Sequence, residues 1–541
     1  MRTLPQVLEE TVRRFADRPA VFYEGKTITY RQFAADVDRL VAGLVKLGIE
    51  PGDKVAIWMS NIPEWIVAYF AIARAGGVVV PMNTRYKTHE VGYILGNAEA
   101  KAVFLSQGFL GIDYAAMLAE VRGKLPLLRE AITVGEAAPG MRPYADVLAL
   151  GEDRDARAEV ARRQKEIAPQ DCVFILYPSG TTGNPTGAML SPHNMAENAR
   201  QITEIMRVSQ EDVFLLAVPF FHCFGCVMGI LGAVTWGAGI VPMPVFKPDQ
   251  ALDLIQEHRV SVVYGVPTMF VLELEDQRKA AKAGEPYDLS SLRTGIMAGA
   301  PCPVEVMRGT MEELGCNACI AYGLTEASPV ITMTRFDDAL DKRVETVGKV
   351  LPGVEVRIVD DAWQEVPLGE TGELACRGYN VMLGYWEDPE ATRQVIDEEG
   401  WLYSGDLATL DGDGYVRIVG RKKDMYIVGG FNVYPAEVEE VLFTHPGVQN
   451  VAVVGVPDRV MGEAGMAFVI PRAGHNPDPQ EIVDFCAQRI AAFKVPRYVV
   501  VGAEFPMTPS GKVQKYKLAE RGKELVASGK APKVELRKAG R

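Results

Sequence analysis

Positive charge is what this chain has least of. It carries 57 Lys and Arg against 70 Asp and Glu, a formal net charge of −13. Such a balance repels a phosphate backbone and argues against nucleic acid as the main partner. The chain also lacks the uninterrupted apolar run of about 20 residues that a membrane span needs. The one candidate, 213–246, has no Asp, Glu, Lys or Arg, but Pro219, Pro242, Pro244 and clustered glycines cut it into strand, loop, buried helix and strand. Residues 1–20 lack the apolar centre of a signal peptide; Leu4, Val7, Leu8, Val12 and Phe15 recur instead as one face of an amphipathic helix. A soluble, cytoplasmic protein is expected, with at most transient contact with a membrane surface. Cysteine is sparse too. Two Cys-x-x-Cys pairs, Cys223/Cys226 and Cys316/Cys319, lie about ninety residues apart outside any turn-rich knuckle. They read as small buried hydrophobes rather than zinc ligands or disulfides. The basic tail 521–541 reads as a solvated terminus.

What the chain does have is apolar residues, 48% of its 541, enough for a large core and two or more domains. A hairpin is predicted around Glu24-Gly25-Lys26, an amphipathic helix over 30–47, and strands at 55–58 and 78–80. A helix over 249–258 and strands at 261–265 and 293–297 continue the alternation, which favours parallel sheets covered by helices. The polar stretch 279–287 reads as a surface loop. After Gly348 the segments shorten and turn β-rich, and beyond 436 helix and strand alternate again. The expected fold is α/β. A large N-terminal domain, 1–420, would hold parallel and mixed sheets covered by helices and a β-rich subdomain. A small α+β C-terminal domain would occupy 421–541.

The most informative run is 177–187, Tyr-Pro-Ser-Gly-Thr-Thr-Gly-Asn-Pro-Thr-Gly. Its glycines relax the backbone, Ser179, Thr181 and Thr182 offer hydroxyls, and successive N–H groups can form an anion-binding nest. An apolar strand, 173–176, feeds it. It is not a nucleotide P-loop, because no Lys-Ser or Lys-Thr follows its last glycine. Further segments follow in order: Pro219-Phe-Phe-His222-Cys-Phe-Gly225, Gly299-Ala300-Pro301, Tyr322-Gly323-Leu-Thr325-Glu326, Trp401-Leu-Tyr-Ser-Gly-Asp406, Gly420-Arg421, Gly429-Gly430 and Pro506-Met-Thr-Pro-Ser-Gly-Lys512. Alone, His222 between phenylalanines fits a core histidine, and Pro-Ser-Gly-Lys fits a turn.

Together, over essentially the whole length, these segments resemble the adenylate-forming superfamily of acyl-CoA synthetases, peptide-synthetase adenylation domains and luciferases, and most of all the fatty-acyl-CoA synthetases. The superfamily's phosphate loop reads Tyr-Thr-Ser-Gly-Thr-Thr-Gly-x-Pro-Lys-Gly, from which this chain departs at Pro178 and Thr186. The resemblance implies that Ser179, Gly180, Thr181, Thr182, Gly183 and Thr186 face the phosphates of ATP. Gly299, Ala300, Pro301, Tyr322 and Gly323 would hold adenine, Thr325 would face phosphate, and Glu326 with Thr181 would hold Mg²⁺. Asp406 would accept from both ribose hydroxyls, with Arg421 beside it. His222, Phe221, Phe224, Gly225 and Cys226 would line the acyl pocket. Lys423 would be the hinge of a mobile C-terminal domain, Gly429 and Gly430 would let the pantetheine arm of coenzyme A pass, and Lys512 would be catalytic.

The chemistry implied is attack of a carboxylate on the α-phosphorus of ATP, then thioester formation with coenzyme A, with a homodimer as one assembly the resemblance allows. The chain ends soon after Lys512, which favours a stand-alone ligase over a peptide-synthetase module. The uncharged stretch 220–232, with Gly225, Gly229 and Gly232 leaving space for a chain, favours a medium- to long-chain fatty acid. An aryl or short branched acid is the alternative. A non-catalytic nucleotide or acyl-CoA binding homologue is the alternative of another class, motivated by Thr186.

Overall fold

The computed structural model describes residues 1–177, 185–300, 302–502, 504–508 and 513–534. The chain divides into two compact units, one formed by 1–355 with 376–402, the other by 356–375 with 403–541. The boundary expected at 420/421 falls inside the second unit.

The first unit is built on two large sheets. In the nine-stranded sheet, Gly239–Pro242, Val213–Leu216, Val262–Gly265, Thr294–Ala298 and Asn317–Gly323 lie side by side and parallel. In the eight-stranded sheet, Phe174–Leu176, Val78–Pro81, Lys54–Trp58, Ala102–Ser106 and Glu130–Val134 do the same. Ala188–Leu190 returns antiparallel to Phe174–Leu176, and Gly384–Tyr385 adds to its far side. The parallel strands are runs such as Val-Val-Val and Val-Val-Tyr because helices cover both faces. The helices start where the sequence supplies caps: Thr3 and Thr29 each form a capping box, with Gln6 and Gln32, ahead of Leu4–Phe15 and Tyr30–Lys46.

The expected alternation of helices and strands is what the first unit contains, including the hairpin Pro19–Tyr23/Lys26–Thr29, turned through Glu24 and Gly25 at positive φ. Segment 213–246 divides as its prolines and glycines suggest, into Val213–Leu216, a loop, the helical stretch Phe224–Trp236 and Gly239–Pro242. The polar run 279–287 differs from the loop expected there. Its first five residues complete the helix Pro267–Ala283, as an exposed last turn closed by Gly284 at φ +83°. The eight cysteines are free thiols, and no helix among the described residues is long and apolar enough to cross a membrane.

The second unit holds most of a four-stranded sheet that includes Leu402–Leu410 and Val416–Arg421, and a five-stranded sheet of Tyr426–Val428, Phe431–Val433, Val448–Asp458, Gly462–Pro471 and Tyr498–Val501. Helices Pro435–Phe443, Pro479–Ala487 and Lys515–Ala527 accompany the latter. This is the α+β alternation expected beyond 436.

One side chain pins the two sheets of the first unit together. Asn61 follows the strand Lys54–Trp58 and is 4% exposed. Its amide nitrogen donates to the carbonyls of Leu216 (3.1 Å), Val218 (2.9 Å) and Met243 (3.3 Å), and its oxygen accepts from Phe220 N–H at 2.9 Å. Replacing a buried amide that satisfies backbone groups leaves those groups without partners. Asn61→Leu is expected to lower the stability of this unit by about 2–3 kcal/mol, read as an earlier first transition in urea unfolding.

Candidate functional site

Three of the segments singled out above leave the carboxyl ends of parallel strands in the nine-stranded sheet, where open α/β sheets collect their ligands. Residues 219–226 follow Val213–Leu216, Gly299-Ala300 follow Thr294–Ala298, and Tyr322–Glu326 end and follow Asn317–Gly323. Ala298 pairs with Ala321, so Gly299 and Tyr322 emerge side by side. Gly299 has φ +89°, a conformation open to glycine. A Cβ on Gly323 would lie 1.8 Å from Pro329 O, so the turn into Thr325 also requires glycine.

His222 is held by its own loop. Its N–H donates to Pro219 O at 3.1 Å, and its carbonyl accepts from Gly225 and Cys226 at 2.8 and 3.0 Å. Ring Nδ1 accepts from Phe224 N–H at 3.1 Å, which puts the proton of the neutral imidazole on Nε2. Cys223 Sγ lies 3.6 Å from that Nδ1 and 3.9 Å from Thr325 Oγ1, so the His222 and Thr325 segments touch. Phe224–Leu231 is wound as a π-helix, a rare form that frequently marks functional sites. Phe224 stacks on Tyr264, centroids 5.5 Å apart, and Cys226 is fully buried, its thiol pushed well up by desolvation.

The glycines of this helix do a different job from the one expected of them. A Cβ on Gly225 would lie 2.2 Å from Pro219 O; one on Gly229, 2.9 Å from Leu216; one on Gly232, 3.0 Å from Thr203. They let the helix pack hard against its surroundings rather than leave room for a ligand.

Thr325 is buried and Glu326 half-buried. Glu326 Oε1 accepts from the Tyr385 hydroxyl at 2.8 Å, and its backbone carbonyl from Met382 N–H at 2.8 Å. No hydrogen bond reaches Oε2 among the described residues. A carboxylate oxygen so placed fits Mg²⁺, which takes one or two protein carboxylates and fills its shell with phosphate oxygens and water.

The phosphate-loop candidates Ser179, Gly180, Thr181, Thr182 and Gly183 lie outside the described residues, as do Pro301 and Lys512. The stem of that loop is described. Tyr177 OH donates to Asn97 Oδ1 at 2.7 Å, Pro185 O accepts from Tyr93 OH at 3.2 Å, and Gly187 O accepts from Trp386 N–H at 2.7 Å. Thr186 is half-buried between the last two contacts. On either side of Lys512, Met507 and Val513 pair as an antiparallel bridge, and Gln514 N–H donates to Pro506 O at 2.7 Å.

In the second unit Asp406, 7% exposed, faces Arg421 across paired strands; their Oδ1–Nε distance is 3.1 Å. Glu373 orders this corner by accepting from Gly405 N–H at 2.9 Å and pairing with Lys422 at 3.1 Å. Lys423 sits in a short 3₁₀ turn, Lys422–Asp424, between two strands. Gly429 and Gly430, at φ +57° and +88°, form the two-residue turn of the hairpin Tyr426–Val428/Phe431–Val433. Asn61, Asn97, Glu373, Tyr385 and Trp386 escaped the sequence reading. Each acts through partners distant in the chain, and no spacing rule reveals such pairs.

The family model of the AMP-binding enzymes matches residues 8–386, and that of their C-terminal domain residues 437–512. The chain belongs to the AMP-binding, adenylate-forming enzyme family. It is an AMP-forming acid–CoA ligase, with a carboxylic acid, ATP and coenzyme A as its reactants. YngI of Bacillus subtilis (strain 168) is 44% identical over 97% of both chains. The mitochondrial medium-chain acyl-CoA ligase ACSF2 of Homo sapiens is 35% identical, covering 96% of this chain and 87% of its own length. Among solved structures, ATP-bound MatB from Rhodopseudomonas palustris superposes with TM-score 0.84 at 32% identity, over 97% of this chain and 100% of that one.

Because Gly225 is a packing glycine, Gly225→Ala is expected to lower melting temperature and cut turnover of every acid together. Shortened chain-length preference with unchanged stability would show that the glycine provides ligand space instead.

Proposed function

We propose that the enzyme activates a medium- to long-chain fatty acid. The observation that carries this reading is the wall of the His222 segment. The stretch around His222, with Phe221, Phe224 and Cys226, carries no charged side chain to meet a second carboxylate. The likeness to a medium-chain acyl-CoA ligase supports it. A ring-bearing acid is the second reading. A Rhodococcus jostii (strain RHA1) relative, 40% identical over 96% of this chain and 99% of its own length, is named as the ligase for a methyl-dioxo-octahydroindenyl propanoyl substrate.

The acid's carboxylate attacks the α-phosphorus of ATP. A new O–P bond forms, the α–β bridging bond breaks with its electron pair leaving on pyrophosphate, and the product is acyl-AMP. Both reactants are anions, so the barrier is set by charge repulsion, and catalysis is placement of opposing charge. In this reading Lys512 supplies a cation at the reacting phosphate, Thr325 and the hydroxyls of Ser179, Thr181 and Thr182 donate to the phosphates, and Asp406 and Arg421 hold the ribose. Bound Mg²⁺ would neutralise phosphate charge, held by Glu326 with Thr181. The adenine is taken by Gly299, Ala300, Pro301, Tyr322 and Gly323. His222 orders the acyl entrance through the Nδ1 contact with Phe224. The thiol of coenzyme A then attacks the acyl carbonyl and AMP leaves. That step no longer needs Lys512, and rotation about Lys423 withdraws it while Gly429 and Gly430 admit the pantetheine arm. The domain division 1–420 and 421–541 belongs to this reading, as does a homodimeric assembly.

The test is AMP and pyrophosphate release with ATP, Mg²⁺ and a ladder of straight-chain, cycloalkyl-propanoic and aromatic acids, with and without coenzyme A. A maximum among straight chains of medium length or longer, dependent on coenzyme A, is expected. A maximum among the cyclic acids would replace the fatty-acid reading with the second. Lys512→Ala is expected to slow acyl-AMP formation by at least about 100-fold while sparing thioester formation from supplied acyl-AMP. Lys423→Pro should show the reverse pattern, which separate assays of the two half-reactions would register.

A further inference from the structure

Two features of the first unit remain unconnected: the neutral Thr186 where a cation is expected, and the tyrosine that grips Glu326. Gly384–Tyr385 pairs with Ala188–Leu190, the strand that leaves the phosphate loop, in a register that sets Tyr385 opposite Ala188. Tyr385 therefore sits two residues along from Thr186 in the paired strand, while its hydroxyl reaches Glu326 Oε1 at 2.8 Å. The next residue, Trp386, bonds Gly187 O through its backbone N–H and Asn97 O through its indole N–H at 3.0 Å; Asn97 in turn receives the Tyr177 hydroxyl. The dipeptide Tyr385-Trp386 thus joins both stems of the phosphate loop to the Glu326 carboxylate. Tyr385 is itself anchored, its N–H donating to Thr392 Oγ1 at 2.8 Å.

We infer that Tyr385 is a positioning residue for the metal carboxylate, and that its contribution is larger in this chain because Thr186 supplies no charge to the loop. The inference rests on the ligase reading. The phenol occupies Oε1 and fixes the carboxylate rotamer, so Oε2 is held ready for a divalent cation arriving with ATP. A carboxylate that must be ordered at the moment of binding loses side-chain entropy then; one already ordered does not. Outer-shell hydrogen bonds of this kind typically change metal affinity by about 10–100-fold. With no lysine at 186, metal-borne charge is a greater share of what holds the terminal phosphates, and the orientation of Glu326 matters correspondingly more.

The experiment is calorimetric titration of ATP into the full-length protein, once with Mg²⁺ and once with EDTA. It compares the wild type with Tyr385→Phe, Thr186→Lys and the double variant. Tyr385→Phe is expected to leave binding in EDTA unchanged and to cut the gain in affinity on adding Mg²⁺ by about tenfold. In the Thr186→Lys background the same change should cost clearly less, so the two substitutions are non-additive. Glu326→Gln should reproduce the loss, and Tyr385→Phe should add nothing to it. This second cycle decides the matter even if one variant is unstable. Equal losses in Mg²⁺ and EDTA would reduce Tyr385 to a structural residue and overturn the inference, as would a full Mg²⁺ gain in Tyr385→Phe or strict additivity with Thr186→Lys. Absence of ATP binding by the wild type under both conditions would overturn the ligase reading and the inference together.

Discussion

The Asn61 side chain is a buried tie between the two large sheets of the first unit. Each parallel sheet buries its own faces under helices, and a specific polar contact between the sheets adds a fixed register that apolar packing alone does not supply. Asn61 supplies it by leaving one sheet and satisfying four backbone groups at the carboxyl ends of strands in the other. Three of those groups lie on the way from the strand Val213–Leu216 into the Pro219–Cys226 segment, and the fourth, the Met243 carbonyl, follows the neighbouring strand. A buried amide is unforgiving: its donors and acceptor must all be met, so the loop has little freedom to settle elsewhere. The position of His222, and through Cys223 that of Thr325, follows from this anchoring.

From that anchor the site is assembled from turns rather than from the strands themselves. Gly323 admits the carbonyl of Pro329 where any side chain would collide. Gly225 does the same for Pro219, and the π-helix begun there is packed too closely against Leu216 and Thr203 to contain a vacant channel along its glycines. In the proposed reading the acyl wall is made by side chains rather than by glycine-lined space, with Phe224 braced by Tyr264.

The second unit repeats the principle on a smaller scale. Asp406 is presented by strand pairing with Arg421, and the glutamate that holds its turn, Glu373, also holds Lys422 next to the proposed pivot. An aspartate paired in this way is already oriented, which in the proposed reading is how it would meet the ribose hydroxyls. Charge in this protein is acidic in excess overall, so cations such as Arg421 and Lys422 act through their local ion pairs and not through the field of the whole chain.

The sequence by itself determined the class of fold, the order of the motifs and the helices and strands with clear apolar patterns, such as Tyr30–Lys46, Lys54–Trp58 and Val213–Leu216. Apolar runs, capping residues and Gly-Pro punctuation act locally, and local rules can be read locally. It also carried the family, because eight segments in sequence constrain one another. It did not reveal that the last turn of Pro267–Ala283 is helical, since an exposed polar turn has no apolar period to announce it. Nor did it reveal Asn61, Tyr385 or Glu373, whose partners stand across gaps of 32 to 182 residues. The packing role of Gly225, set by the close approach of the Pro219 carbonyl, also stayed hidden. Only the tertiary structure decides such meetings, because a hydrogen bond is a matter of a few tenths of an ångström and an orientation, and neither is encoded in spacing along the chain.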